Sequence, residues 1–211
     1  MSEKAAESLH DLVARSQERI RELRRAGDLV ALLAAATAAA DEIEHRIGEG
    51  RSDAEREALL AVKRFSFNAA ADCWPGWSVS DIPPDTQNLL IALELARRSA
   101  RITKQLGLGP IQEGTGAWLC GAFELALGRY TEAADTFAEA HRHYIAAPAP
   151  GLALLVEGYK AILRQVAGHQ VPAGGEDLDQ INARIAAGDF EDGAEWIEQL
   201  RTAQKVFVKG N

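Results

Sequence analysis

The chain of 211 residues contains only two cysteines and seven prolines. Cys73 and Cys120 lie far apart and outside any metal-ligand spacing, so the sequence predicts neither a disulfide framework nor a cysteine metal site. The prolines fall outside the long periodic segments, which favours helices within those segments. Hydrophobic residues make up 47% and charged residues 26%, a composition typical of a folded globular protein rather than a disordered one.

Long apolar runs and an excess of basic residues are also missing. The longest apolar run, residues 29–40, is alanine-rich and too short to span a membrane. The charged segment 1–25 lacks the apolar core of a signal peptide. The net charge of −8 disfavours binding to nucleic acid and to anionic membranes. We therefore expect a cytoplasmic protein with neither nucleic acid nor membrane as a partner.

Helical periodicity runs through almost the whole chain, and no segment shows a useful strand-like alternation. Good N-cap residues stand at Ser52 and Asp85, and glycines follow several of the periodic segments. The predicted helices cover about 9–26, 29–47, 52–72, 86–106, the two halves of 116–145, 152–166, 177–187 and 190–206. The sequence therefore predicts an all-α fold.

The segment 116–140 reads GAWLCGAFELALGRYTEAADTFAEA, with two helical halves joined by the turn Gly128-Arg129-Tyr130. It resembles one tetratricopeptide repeat (TPR), a helix–turn–helix unit of about 34 residues that stacks on copies of itself. Trp118 is one residue off the usual tryptophan position of this family, and Glu124 stands where an aromatic residue is typical. The matching residues are Gly121, Gly128, Tyr130, Ala133, Phe137 and Ala140. We expect one recognisable repeat at about 114–147 within a single domain, residues 1–211.

The resemblance implies antiparallel helical hairpins stacked as a short, TPR-like, right-handed solenoid. In such an array the first helix of each hairpin lines a concave surface that binds a partner. The turns around Gly27 and Gly188 are similar to that at Gly128, so degenerate repeats would keep the shape without the consensus. A helical bundle that is not a solenoid is the alternative.

The insertion at about 73–85 interrupts the predicted array, because three prolines and a glycine in so short a span prevent a helix. Its proline–glycine pair suits a type II turn, which would bring Trp74 and Trp77 close together. In one interpretation the two tryptophans form a lip over a groove, with Asn68 and Asp72 as polar contacts. In the other, they pin a long loop onto the helices.

Two charged clusters are secondary candidates. The first lies on the predicted fourth helix and consists of Arg97, Arg98, Arg101 and Lys104. It is similar to the carboxylate clamp of some TPR proteins only in charge, and we expect these residues to pair with nearby acids. The second is a helical stripe of Asp135, Glu139 and His143. Three ligands on one surface helix, with no second cluster, do not define a metal centre, so no metal and no cofactor is predicted.

No zinc-protease, nucleophile-elbow or phosphate-loop motif occurs in the sequence. We therefore predict a non-catalytic scaffold that binds a protein or peptide. The predicted binding residues are Asn68, Asp72, Trp74, Trp77, Trp118 and Glu124. The first alternative is a small-molecule-binding regulatory protein in which the Trp loop closes over a pocket, and an enzyme with an unrecognised site is less favoured. The apolar stripe of the first helix and the segment 206–208 also make a homodimer plausible.

Overall fold

The computed structural model describes residues 8–47, 52–77 and 84–208. Within these ranges the chain forms nine α-helices and no strand, so the predicted all-α class is confirmed. Two short 3-10 turns, Pro75–Trp77 and Gly168–Gln170, complete the secondary structure of this part. The helices are α1 (Leu9–Ala26), α2 (Leu29–Arg46), α3 (Asp53–Cys73), α4 (Thr86–Leu106), α5 (Pro110–Ala126), α6 (Tyr130–Ala146), α7 (Pro150–Ala167), α8 (Leu178–Ala187) and α9 (Gly193–Val208).

Local capping explains most helix boundaries. Ser52 caps α3 in a reciprocal capping box with Glu55, and the Asp85 side chain accepts a hydrogen bond from the Asn88 backbone at the start of α4. Gly107 ends α4 in the left-handed conformation, with φ of 61°. These boundaries agree with the sequence prediction because each depends on residues within a few positions of one another.

Two helices begin earlier than the sequence predicted. The predicted helices started at residues 116 and 152, whereas α5 begins at Pro110 and α7 at Pro150. Both prolines occupy the first turn, where the missing N–H has no helical partner to lose and the fixed φ suits the helix. Pro110 and Pro150 therefore begin helices, although the sequence predicted that the prolines lie outside them.

Each helix packs against its neighbour along the chain, and several also contact the helix after next. Such contacts join α1 to α3, α2 to α4, α5 to α7, and α7 to α9. The buried apolar side chains, from Leu12 in α1 to Ala203 in α9, form one continuous core. The apolar stripe of α1 belongs to this core, because its residues Leu12, Ile20 and Leu23 are buried inside the chain. The prediction of a homodimer therefore has no support from an exposed apolar stripe on α1.

Small residues allow close helix approach. The alanine-rich helix α2 buries Ala36 and Ala40 completely. In α5, a Cβ atom added at Gly121 would lie 2.9 Å from the ring of Phe137 in α6, so glycine gives that ring its place against the helix backbone. No helix in the described ranges combines the length and the apolar character needed to cross a membrane.

Candidate functional site

Aromatic side chains from four parts of the chain meet in one cluster. The ring centroid of Trp74 lies 5.2 Å from that of Trp77, 5.9 Å from that of Trp118 in α5 and 5.5 Å from that of Tyr159 in α7. These three contacts have edge-on geometry, an arrangement that stabilises aromatic pairs. Phe207 of α9 adds a fifth ring, 6.1 Å from that of Trp74. We call these five residues the aromatic cluster.

The turn after α3 positions the two tryptophans. Gly76 lies directly against the Trp74 ring, where a Cβ atom would overlap the indole. A type II turn would need a positive φ at Gly76, and Gly76 is not among the glycines with positive φ. The turn is therefore a 3-10 turn rather than the predicted type II turn, and Gly76 allows the close packing of the Trp74 ring. Trp74 is 2% exposed. Trp77 is 45% exposed and its indole N–H donates to the carbonyl of Ala71, near the end of α3. The predicted proximity of the two tryptophans is confirmed.

Helix α9 covers the aromatic cluster. It contacts both α7 and the Pro75–Trp77 turn. The side-chain amide of Gln199 donates to the Tyr159 hydroxyl at 2.7 Å. Tyr159 is fully buried, and that burial raises its pKa above the ordinary value of 10. The sequence interpretation predicted the helix at 190–206 but missed its position over the cluster, and it missed Tyr159. The available signal was Gly151 and Gly158, two glycines seven residues apart in a helix that otherwise favours larger apolar residues.

The cluster contains two unsatisfied donors. The indole N–H groups of Trp74 and Trp118 are buried and have no hydrogen-bond partner among the described residues. A buried donor without a partner costs about 1–3 kcal/mol relative to its hydration in water. The aromatic cluster is therefore well packed but incompletely satisfied in its polar groups.

Glu124 lies outside the cluster, between three helices. It is 4% exposed. One carboxylate oxygen accepts from the Arg97 guanidinium of α4 at 3.1 Å, and the other from the Thr136 hydroxyl of α6 at 2.7 Å. Arg97 also binds Glu94 at 2.9 Å. Both oxygens of Glu124 thus have donors inside the chain, and the residue joins α4, α5 and α6.

Asn68 and Asp72 line an open groove between α1 and α3, which we call the α1/α3 groove. It comprises three adjoining cavities of about 410, 280 and 440 Å³. The first two share Gln17, Ala61 and Arg64. The last two share Arg24, Leu32 and Asp72. The shared residues place the three cavities next to one another along α1 and α3.

The charges of this groove come from both helices. Asp72 accepts a hydrogen bond from Arg24 at 2.6 Å through one oxygen, and its other oxygen is buried without a partner in the described part of the chain. Arg21 and Arg64 are exposed along the same groove. The tryptophans at 74, 77 and 118 do not line these three cavities, so the predicted polar contacts and the predicted aromatic lip occupy separate surfaces.

The basic cluster of α4 is paired with acids, as the sequence predicted. The acids come from α2, α4, α5 and α6, and the pairs are Arg97 with Glu94 and Glu124, Arg98 with Asp41 and Glu44, Arg101 with Glu44, and Lys104 with Glu139. A cleft of about 670 Å³ lies beside these arginines. Since the guanidinium groups already bind carboxylates, this cluster leaves no free cation in the cleft that could bind an anion.

The acidic and histidine stripe of α6 is used in contacts between helices. Glu139 binds Lys104 of α4, and the Nδ1 atom of His143 lies 3.3 Å from the carboxylate of Glu113 in α5. Across residues 8–47, 52–77 and 84–208, no group of three or more histidine, cysteine or acidic side chains is arranged to hold a metal ion.

Comparison with known proteins adds no assignment: no family model, no curated protein and no solved structure matches this chain. The resemblance to a TPR therefore depends on the residues of segment 116–140 alone. The candidate functional surfaces are the aromatic cluster under α9 and the α1/α3 groove.

Proposed function

We propose that this chain is a non-catalytic interaction scaffold of the TPR-like type, and that its α1/α3 groove binds an acidic peptide segment of a partner protein. The observation that carries the proposal is the row of three adjoining cavities along α1 and α3. An open, continuous groove suits an extended chain, whereas a small molecule is usually held in an enclosed pocket.

The proposal includes a stacked arrangement of antiparallel helical hairpins in a right-handed solenoid. Its support is the contact between alternate helices within each half of the chain: α1 meets α3, α2 meets α4, and α5 meets α7. Between the halves the main contact in the described residues is α4 with α5, rather than α3 with α5 or α4 with α6. Stacked hairpins bring first helices beside first helices and second helices beside second helices. In this arrangement α1 and α3 are first helices, which present the partner-binding face.

The dimensions of the groove fit a peptide of moderate length. Helix α1 has 18 residues, and at about 1.5 Å per residue it extends for about 27 Å. An extended chain of about eight residues covers this distance at about 3.3 Å per residue. Buried apolar side chains of Ile20 and Phe65 contribute to the floor, which gives a bound segment an apolar contact beside the charged rim.

The charge of the rim selects the partner. Arg21, Arg24 and Arg64 line the central cavity, and Asp72 is its single acid. Arg21 already binds Glu18 at 2.6 Å and Arg24 binds Asp72 at 2.6 Å, so the selection depends on Arg64. Arg64 is exposed and has no ion-pair partner among the residues that the structure describes. Arginine binds carboxylates in a planar two-point geometry. A peptide with aspartate or glutamate beside an apolar residue therefore matches this surface.

A peptide array tests the proposal. Eight-residue fluorescent peptides of random sequence are bound to the full chain, and we expect the retained peptides to be enriched in acids. Arg64→Glu should weaken the best peptide at least tenfold in fluorescence anisotropy. Arg142→Glu is the matched control, because it makes the same charge change at an exposed position of α6 away from the groove, and it should change the affinity less than twofold. Equal effects of the two variants, or no acidic enrichment, would refute the proposal.

The alternative of a small-molecule-binding protein with a Trp lid has less support. Trp74 is part of the core, and the cavities that contain Asn68 and Asp72 do not include the tryptophans of the turn. The geometry that would favour it is an enclosed pocket beneath Trp77 with several polar groups, and Trp77 lines none of the five cavities of about 670, 440, 280, 410 and 440 Å³.

A further inference from the structure

Helix α9 contacts the rest of the chain through a single stripe of residues. Trp196, Leu200, Ala203 and Phe207 follow one another at steps of four, three and four, which places them on one face of the helix. Trp196 lies over Gly151 and Leu200 over Gly158, both in α7. A Cβ atom at Gly158 would lie 2.5 Å from the Leu200 side chain. Phe207 lies on Trp74. This is the geometry by which an amphipathic helix binds a groove.

The contact of α9 with the groove is incomplete. Of its sixteen residues, only Gly193, Leu200 and Ala203 are buried, while Trp196 and Phe207 remain half-buried. Two neutral hydrogen bonds join its side chains to α7, from Gln199 to Tyr159 and from Gln204 to Gln165. No ion pair connects α9 to the other elements in the described part of the chain. Helices with few buried contacts open locally at lower free energy than the core does.

The aromatic cluster under α9 contains donors that the packed chain does not use. With α9 in place, the indole N–H groups of Trp74 and Trp118 have no partner within the described ranges. If the helix left, the Trp74 ring would lose its contact with Phe207 and the Tyr159 hydroxyl would lose its donor Gln199. Tryptophan and tyrosine are enriched among the residues that dominate binding energy at protein interfaces.

We propose that α9 is a displaceable internal ligand of this surface, and that the groove formed by α7 and the Pro75–Trp77 turn also takes an amphipathic helix from a partner protein. The partner helix carries the pattern that α9 defines: a large aromatic residue, then leucine four positions later, a small residue three further on, and an aromatic residue after four more. Tethering gives α9 a high effective concentration, so it lowers the apparent affinity of the partner by its own occupancy of the groove. This site is separate from the α1/α3 groove.

Binding of a synthetic α9 peptide tests the proposal. The probe is a fluorescein-labelled peptide of residues 191–208, titrated into the full chain. In the variant Leu200→Asp the tethered helix carries a charge against α7 and is released. We expect this variant to bind the peptide at least tenfold more tightly than the unmodified chain. The control Arg201→Asp also introduces an aspartate, but at an exposed position of α9, and should leave the affinity unchanged. Equal affinity of Leu200→Asp and the unmodified chain would overturn the proposal.

Hydrogen exchange on the unmodified chain tests the same point without a variant that could misfold. We expect the amides of α9 to exchange faster than those of α7, and to lose protection further when unlabelled α9 peptide is added in excess. Protection of α9 equal to that of α7, unchanged by the peptide, would overturn the proposal. A dimer of the unmodified chain that Leu200→Asp abolishes would assign the groove to a second copy and overturn the assignment to a partner. Arg64→Glu should not alter binding of the α9 peptide, so the two proposed sites fail separately.

Discussion

The buried carboxylate of Glu124 leads to a prediction about asymmetry. Glu124 is 4% exposed, whereas its partner Arg97 is 43% exposed in its side chain and has a second acid, Glu94, at 2.9 Å. Removing Arg97 leaves a buried charge with only the Thr136 hydroxyl to bind it. Removing the charge of Glu124 leaves a cation that water and Glu94 still solvate. The two halves of one ion pair should therefore differ in what their loss costs.

The magnitudes follow from the burial of each group. Breaking a buried pair so that a charge is left uncompensated costs about 3–5 kcal/mol. Because Arg97 reaches solvent, water can partly replace it, and we expect about 2–3 kcal/mol for Arg97→Met. Glu124→Gln keeps the shape and an acceptor oxygen but loses the charge-assisted part of two hydrogen bonds, which gives about 1 kcal/mol. In the double variant the costs should not add, since the buried charge is already absent.

Urea unfolding of the four proteins, followed by far-ultraviolet circular dichroism, measures these differences. The control is Arg101→Met, whose pair with Glu44 is more exposed and should contribute less than about 1 kcal/mol. If Glu124→Gln costs more than Arg97→Met, or if neither costs as much as the control, the carboxylate is not buried as described. Glu124 would then regain its place as a candidate for partner binding.

Three further predictions concern the turn, the pH dependence and the cysteines. Trp74→Ala should lower the free energy of unfolding by about 3–5 kcal/mol. Trp77→Ala should lower it by less than about 2 kcal/mol, because Trp77 is half exposed. Equal losses for the two variants in urea unfolding would contradict this prediction. Lys104 lowers the pKa of Glu139 below its ordinary 4.5 through a hydrogen bond, so their pairing stabilises the chain above about pH 4.5 and is lost as the pH falls through the lowered value. Lys104→Met should therefore cost less than about 1 kcal/mol at pH 7 and a smaller amount near pH 2, as thermal unfolding at the two pH values would show. Burial raises the pKa of both cysteines to about 12, so a thiol reagent at pH 8 should label them only after unfolding. Rapid labelling of the native chain would contradict the burial of the two thiols.

The fold was predictable to the extent that local chemistry sets it. The caps at Ser52 and Asp85 and the glycine at position 107 act within one turn of helix, so the sequence alone placed those boundaries. Proline is ambiguous at this level because it ends one helix and starts another, and Pro110 shows the second use. The composition predicts that the basic cluster of α4 pairs with acids. It does not predict which acid contacts which arginine.

The candidate site was less predictable, because its residues come together only through helix packing. The proximity of Trp74 to Trp77 follows from a short turn, and the sequence predicted it. The contacts of Trp74 with Trp118 and Tyr159 depend on how α3, α5 and α7 cross. Glu124 was predicted to be a binding residue because it departs from the repeat consensus. Its donor Arg97 lies 27 residues away, and only the packed helices reveal that the two meet.

The sequence by itself determined an all-helical chain, most helix ends and the pairing of its charged clusters with acids, since periodicity and capping act over a few residues. Tertiary structure decided which surfaces are open. It buried Trp74 and Glu124, left the α1/α3 groove accessible, and laid α9 across the aromatic cluster. The physical reason is that a side chain's exposure depends on what packs over it. For α9, that packing depends on Gly151 and Gly158, two missing side chains far from the rings that the helix covers.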